Sequence, residues 1–246
     1  MIQKADRIAA LLEKSENSRT EDPLVICPQP DLEKLRTSGS ASVDLRLGCW
    51  LASMRGNRLS LLEISGKGPT EIQKLDAEIR RLLPSLEKSG KGLAEIRRLL
   101  PLLEMCARNP SESEVTKSHY VPFGRRYLLH PRSFVLGITL EWIRLPSKMA
   151  GYVIGKSSLG RRGLIIATAT GVHPGFTGCL TLEISNVGEV PISLRPGMRI
   201  CQIFLHKVES RTRDVDKTGL MGQRKPILGS VSLDPVADQL GSYEGF

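Results

Sequence analysis

Apolar and polar positions change rhythm several times along this chain. At the start, Ile2, Ala5, Ile8, Leu11 and Leu12 recur at helical spacing. That predicts an amphipathic helix over residues 2–15, packed on its own domain or on a neighbouring subunit. A polar stretch, residues 16–22, follows. Two extended segments, VICPQP and SASVDLRLGCW, then flank the polar DLEKLRTSG. From Ser42 to Gly48 polar and apolar residues alternate, as along a half-buried strand. Asp44 and Arg46 share its polar face, where the simplest expectation is a structural ion pair.

Residues 60–107 return to helical spacing, in duplicate. AEIRRLLP occurs at 77–84 and again at 94–101, and SGKG at 65–68 and again at 89–92. A proline closes each copy. Two copies are too few for a solenoid, so this reads as a helical insertion, most simply with solvated charged faces, the alternative being a partner-binding or regulatory appendage. SGKG lacks the spacing of a phosphate-binding P-loop. After a polar loop, HYVPFGRRYLLHPRSFVLGITLEWIRLP resumes short extended segments and leaves its last strand at Leu145 and Pro146.

Residues 155–206 carry the clearest rhythm. Turns fall at Gly155 and Lys156, Gly163, His173 to Gly175, Asn186 to Gly188, and Arg195 to Gly197. Between them lie LIIATAT, CLTLEIS, VPISL and RICQIFL. Short strands at this spacing predict a mainly β fold, a distorted barrel or roll. The whole plan is a helix and linker over 1–22, a β domain over 23–210 interrupted by the helical insertion at 60–118, and a tail over 211–246. That tail, with Gly219, Gly222 and Gln223, is read as closing over a ligand.

Composition narrows the partners. Aromatic residues make up only 4%, so the core must be aliphatic. The net charge of +9 suits nucleic acid or a polyphosphate. The basic residues are dispersed and few rings exist to stack bases, which argues against nucleic acid. No run approaches the roughly 20 apolar residues of a membrane span. The N-terminus has no apolar signal core, so the expectation is a cytoplasmic protein without membrane contact. The five cysteines include no C-x-x-C pair, which argues against disulfides and zinc. Cys179 and Cys201 sit in apolar strands as small hydrophobes.

Three places carry candidate chemistry. Lys156, Ser157, Ser158 and Arg161 put hydroxyls, cations and turn N–H groups where phosphate oxygens could sit, or else merely start a short helix. Glu183 is a carboxylate in an otherwise apolar or small-residue strand. It is either ion-paired or a general base; spacing alone favours a paired structural role. His173 precedes Pro174 and Gly175 in a turn and has no H-x-E or H-x-x-x-H partner. The H-x-E and P-C-x-x-C signature of zinc deaminases is absent, so any deamination would run without zinc.

Taken together, SASVDLRLG, LLHPRSFVLGITLEWIRLP, GKSSLGRRGL, TATGVHPGFTG, LTLEISNVGEVPISLRPGM and RICQIFL resemble the dCTP deaminase family of the trimeric dUTPase-like superfamily. These pieces cover about half the chain, in the family's order. The resemblance implies a distorted dUTPase-like barrel assembled as a homotrimer, with sites between subunits. It implies hydrolysis of dCTP, or a related nucleotide, to dUTP and ammonia. Lys156, Ser157, Ser158 and Arg161 would hold the triphosphate, with Mg2+ bound through the nucleotide. Glu183 would activate the water that attacks C4 of cytosine and pass its proton to the departing ammonia. Ser157, Arg161 and the backbone at Ala169 would position that water, and Gln202 and Gln223 would lie near the phosphates.

The chain also departs from the family pattern. Lys156 replaces an arginine and loses its bidentate fork. His173 stands where an aspartate holds the sugar 3′-hydroxyl, and where dUTPases place their hydrolytic carboxylate. Thr170 and Gly171, just before Val172, replace a His-Arg pair on the same sugar side, and Gly219 and Leu220 replace Lys-Tyr. Two alternatives to the deaminase follow. One is a dUTPase-type or bifunctional diphosphohydrolase. The other is a catalytically impaired nucleotide-binding or sensor module.

Overall fold

A computed structural model of the chain describes residues 2–17, 21–55, 115–167, 171–209 and 221–229. The chain divides into two compact units. One comprises Met1–Met54 and Thr116–Leu228, the other Arg55–Val115 and Gly229–Phe246. Nearly all described residues belong to the first unit. The duplicated helical segment lies outside them, as do residues 210–220 and 230–246.

The N-terminal helix α1 is Ala5–Asn17. Its buried side chains, Ala5, Ile8, Ala9 and Leu12, keep the spacing that predicts it. It starts three residues later than the apolar pattern suggests. Ile2 is instead exposed and bridges to His206 in extended conformation. After β1 (Val25–Cys27) the polar DLEKLRTSG folds into a short helix, α2, Leu32–Thr37. Asp31 caps it by accepting from Lys34 N at 3.0 Å. Six residues hold too few apolar positions to show a helical period, so the cap was its only sequence signal.

The remaining strands are β2 (Ser42–Met54), β3 (Thr116–Tyr120), β4 (Tyr127–Leu129), β5 (Phe134–Arg144) and β6 (Met149–Gly155). A short helix α3 (Ser157–Gly160) precedes β7 (Leu164–Ile166), β8 (Gly171–Val172), β9 (Thr177–Asn186), β10 (Ile192–Leu194) and β11 (Arg199–Lys207). Nine of them form one sheet with the path β7-β9-β5-β2-β11-β6-β8, where β1 pairs with β5 and β3 with β2. The sheet curls enough to bring β6, next to one end of the path, against β7 at the other. A Cβ built on Gly155 of β6 would stand 3.4 Å from Cβ of Ile166 on β7. The mainly β, barrel-like expectation holds. The turn glycines Gly163, Gly175 and Gly197 take positive φ, which explains the spacing of the breaks.

Inside the curl lie Val43, Leu45, Leu47 and Leu51 of β2, Val135 and Ile143 of β5, Leu182 and Ile184 of β9, and Ile200, Ile203 and Leu205 of β11. All are aliphatic, as the scarcity of rings requires. The ladders slip together at one place. Shifts occur between Leu47 and Leu51 of β2, Ile138 and Trp142 of β5, and Arg199 and Cys201 of β11. Side chains take over from the backbone there. The Thr139 hydroxyl accepts from Leu180 N at 2.9 Å. The Glu141 carboxylate accepts from Arg46 N at 2.8 Å and Arg46 Nε at 2.6 Å.

Candidate active site

The predicted phosphate turn starts where β6 ends. Lys156 occupies the cap position of α3 in extended conformation, but its side chain does not cap the helix. Backbone bonds from Gly160 N to Lys156 O (3.0 Å) and from Arg161 N to Ser157 O (3.0 Å) wind the turn. Gly163, at φ 86°, lets the chain re-enter β7. Arg162 closes back on Ser158 O at 2.6 Å. Ser157 and Arg161 are left exposed.

The Lys156 ammonium is drawn onto the sheet instead of pointing freely into solvent. Its Nζ lies 2.5 Å from Asp44 Oδ1 on β2, and Arg199 Nη1 of β11 lies 3.4 Å from Asp44 Oδ2. The polar face of β2 does form ion pairs, but Asp44 and Arg46 take different partners. Asp44 holds Lys156 and Arg199, while Arg46 pairs with the buried Glu141. Gln202 faces Asp44 across the β11–β2 ladder and accepts from the Ser42 hydroxyl at 3.2 Å.

Glu183 lies on β9, opposite Leu136 of β5. Its carbonyl accepts from Ala167 N at 3.0 Å, just beyond β7. Its side chain is half-buried on the outer sheet face, since its neighbours Leu182 and Ile184 point into the core. The next row on that face is Phe134, Ser185 and Ile165. Among the described residues the carboxylate has no cation or hydrogen-bond donor. The paired structural role favoured by spacing finds no partner among the described residues: the cross-strand neighbour Leu136 is apolar and supplies no charge. The backbone links Glu183 to the phosphate turn through β7, because Ile166 faces Ile184 and also touches Gly155.

The other predicted residues group elsewhere. Val172 is buried on β8 beside Gly151, and His173 is exposed, with its carbonyl accepting from Phe176 N at 3.2 Å. Ala169 and Thr170 lie outside the described residues. The tail runs along the start of β9: Gly222 N donates to Thr177 O (2.7 Å) and Cys179 N to Gln223 O (3.0 Å). From there it crosses the outer face, with Arg224 over the Trp142 ring at 5.1 Å and Lys225 over Trp50 at 4.1 Å. Cys179 is four residues from Glu183, about 13 Å along a strand. Within one subunit, then, the phosphate turn neighbours the Glu183 strand, whereas Gln223 and His173 gather at the other end of β9.

Sequence reasoning missed the holding contacts: Asp44 to Lys156, Ser42 to Gln202, and Glu141 to Arg46. The alternation of Ser42, Asp44 and Arg46 announces a shared polar face, but their partners lie 95 to 160 residues away and leave no local trace. These charges also act on the thiols. Burial, reinforced by the Glu141 and Asp44 carboxylates and opposed by Lys156, pushes Cys201 up to about 12. Burial raises Cys179 as well, with Arg224 opposing and Glu141 adding.

A family model described as dCTP deaminase-like matches residues 74–208, more than half of the chain. The "dCTP deaminase, dUMP-forming" of Dictyoglomus turgidum is 52% identical over 116 residues, 45% of this chain and 60% of that protein. The protein of the same name from Corynebacterium diphtheriae is 44% identical over 114 residues, 46% of this chain and 61% of that one. The chain thus spans about 60% of the length of these relatives. A crystal structure of 2'-deoxycytidine 5'-triphosphate deaminase from Agrobacterium tumefaciens aligns with a TM-score of 0.49 at 20% identity, covering 85% of this chain and 46% of that one. By the extent of the family match, the chain belongs to the dCTP deaminase-like family.

Proposed function

We propose that the chain deaminates dCTP hydrolytically, with Glu183 as the general base. The observation that carries this is the state of Glu183. It is a half-buried carboxylate with apolar lateral neighbours and no charge partner among the described residues, one short strand away from a basic, hydroxyl-bearing turn. A carboxylate held by an ion pair has little left to give a water; this one keeps both oxygens available.

In the proposed reaction Glu183 takes a proton from water as the oxygen attacks C4 of cytosine. The C4–N bond then breaks, and the same proton leaves with ammonia. Ser157, Arg161 and the backbone at Ala169 would steady the water and the developing charge. Lys156, Ser158 and Gln202 would take phosphate oxygens. Mg2+ would arrive with the triphosphate, and no protein ligand is assigned to it. The distance of Gln223 and His173 from Glu183, at the opposite end of β9, fits a site completed by a neighbouring copy in a homotrimer.

The names of the relatives, dUMP-forming, support a second step. Reaching dUMP requires a second water at the α-phosphorus and departure of pyrophosphate. That favours a bifunctional enzyme over one that stops at dUTP, although His173 supplies no carboxylate where a dUTPase has one. Incubation with dCTP and Mg2+, resolving ammonia from pyrophosphate, decides between them. Ammonia alone gives the dUTP-forming enzyme, and ammonia with pyrophosphate the dUMP-forming one. Calorimetric binding of dCTP with neither product contradicts the proposal and leaves a binding module.

A further inference from the structure

We infer that Asp44 and Ser42 on β2 are positioning residues that aim Lys156 and Gln202 at the polyphosphate of the ligand, an inference that rests on the nucleotide reading above. The two residues are two apart on one strand and so share a face. Each holds a group from another element. Asp44 binds the Lys156 ammonium at 2.5 Å, and Ser42 donates to Gln202 Oε1 at 3.2 Å. Gln202 in turn faces Asp44 across the ladder.

The chemistry explains why such holding is needed. A lysine carries a compact charge on a flexible four-carbon stem, without the planar fork that aligns an arginine on phosphate. One strong contact to a carboxylate fixes the stem, and two of the three ammonium protons stay free for phosphate oxygens. Asp44 also meets Arg199 Nη1 at 3.4 Å through its other oxygen, a second cation on the same carboxylate. Ser42 is buried. Its bond to Oε1 of Gln202 occupies the amide oxygen and leaves the N–H donors of Nε2 for other acceptors, as an anion requires.

Positioning and plain electrostatics predict opposite signs. Asp44→Asn makes the region one unit more positive, which by charge alone tightens an anion. If Asp44 positions Lys156, the same change weakens it. Calorimetry with inorganic triphosphate reads this directly, alongside kcat and KM for dCTP. Asp44→Asn is expected to weaken triphosphate binding about tenfold and to raise KM for dCTP with kcat within about twofold. In a Lys156→Met background the same change should cause no further loss, because the two act as one unit. Ser42→Ala removes one hydroxyl and keeps the test open if the Asn variant does not fold. It should weaken binding a few-fold, and have no effect in a Gln202→Ala background. Equal or tighter triphosphate binding by Asp44→Asn overturns the inference, as does a wild-type protein that binds no triphosphate. Triphosphate binding with the expected variant pattern but no ammonia from dCTP leaves the positioning roles standing and removes the deaminase reading.

Discussion

Glu141 shows how much one residue can hold. It is 1% exposed, and its two carboxylate oxygens bind the backbone and side chain of Arg46 where the β2–β5 ladder slips. Glu141→Ala leaves a strand N–H and a half-buried guanidinium without their acceptor. The expected cost is about 2–4 kcal/mol, read as a lower urea midpoint at unchanged slope. A loss below about 0.5 kcal/mol, the usual range of surface changes, contradicts the role. Cys201 gives a second residue-scale prediction, through pH. Its thiol titrates at about 12 in the folded chain against an ordinary 9.0. Below pH 9 both states keep the proton and stability is unaffected. Between about 9 and 12 the unfolded chain loses the proton first, so stability falls as pH rises. Cys201→Ala should flatten that fall, in melts compared at pH 8 and pH 10.5. An identical slope in both proteins contradicts the buried thiol.

At the scale of elements, the tail and β9 meet through a glycine. Gly178 has φ 150°, and a Cβ there would stand 3.2 Å from Gly222 N and 3.3 Å from Gln223 N. Gly178→Ala is therefore expected to lift the 222–225 segment off β9. The two tryptophans of the chain report this, because each ring lies under a tail cation. The emission of Gly178→Ala should match that of an Arg224→Ala, Lys225→Ala double variant. A spectrum like wild type contradicts the docking. The same scale shows what was legible in the sequence. The strands between Gly163, Gly175 and Gly197 could be read because a turn that needs positive φ announces itself locally. Helix α2 could not, since Leu32 and Leu35 alone do not establish a period. The slipped ladders could not either: Thr139 and Glu141 look like ordinary strand residues until β2 and β9 lie beside them. The candidate site divides the same way. The turn at Lys156–Arg161 and the lone carboxylate of Glu183 stand out in their own segments. The contacts that aim Lys156 and Gln202 exist only once distant strands pair.

For the whole molecule, the curled sheet brings β6 and β7 together at Gly155 and Ile166 and so seats the basic turn next to the strand bearing Glu183. Family membership and this placement support the proposal of a pyrimidine nucleotide as the ligand, and the chemistry proposed for it depends on one carboxylate. The most direct measurement is ammonia release from dCTP with Mg2+ by the wild-type chain and by Glu183→Gln, an isosteric change at a side chain with no ion-pair or hydrogen-bond partner among the described residues. Wild type should release ammonia. The variant should keep its melting temperature and its affinity for dCTP while turnover falls by about 10²–10⁴-fold, the range of a lost general base. A Glu183→Gln protein that still deaminates dCTP at a comparable rate would contradict the assignment of Glu183 as the base.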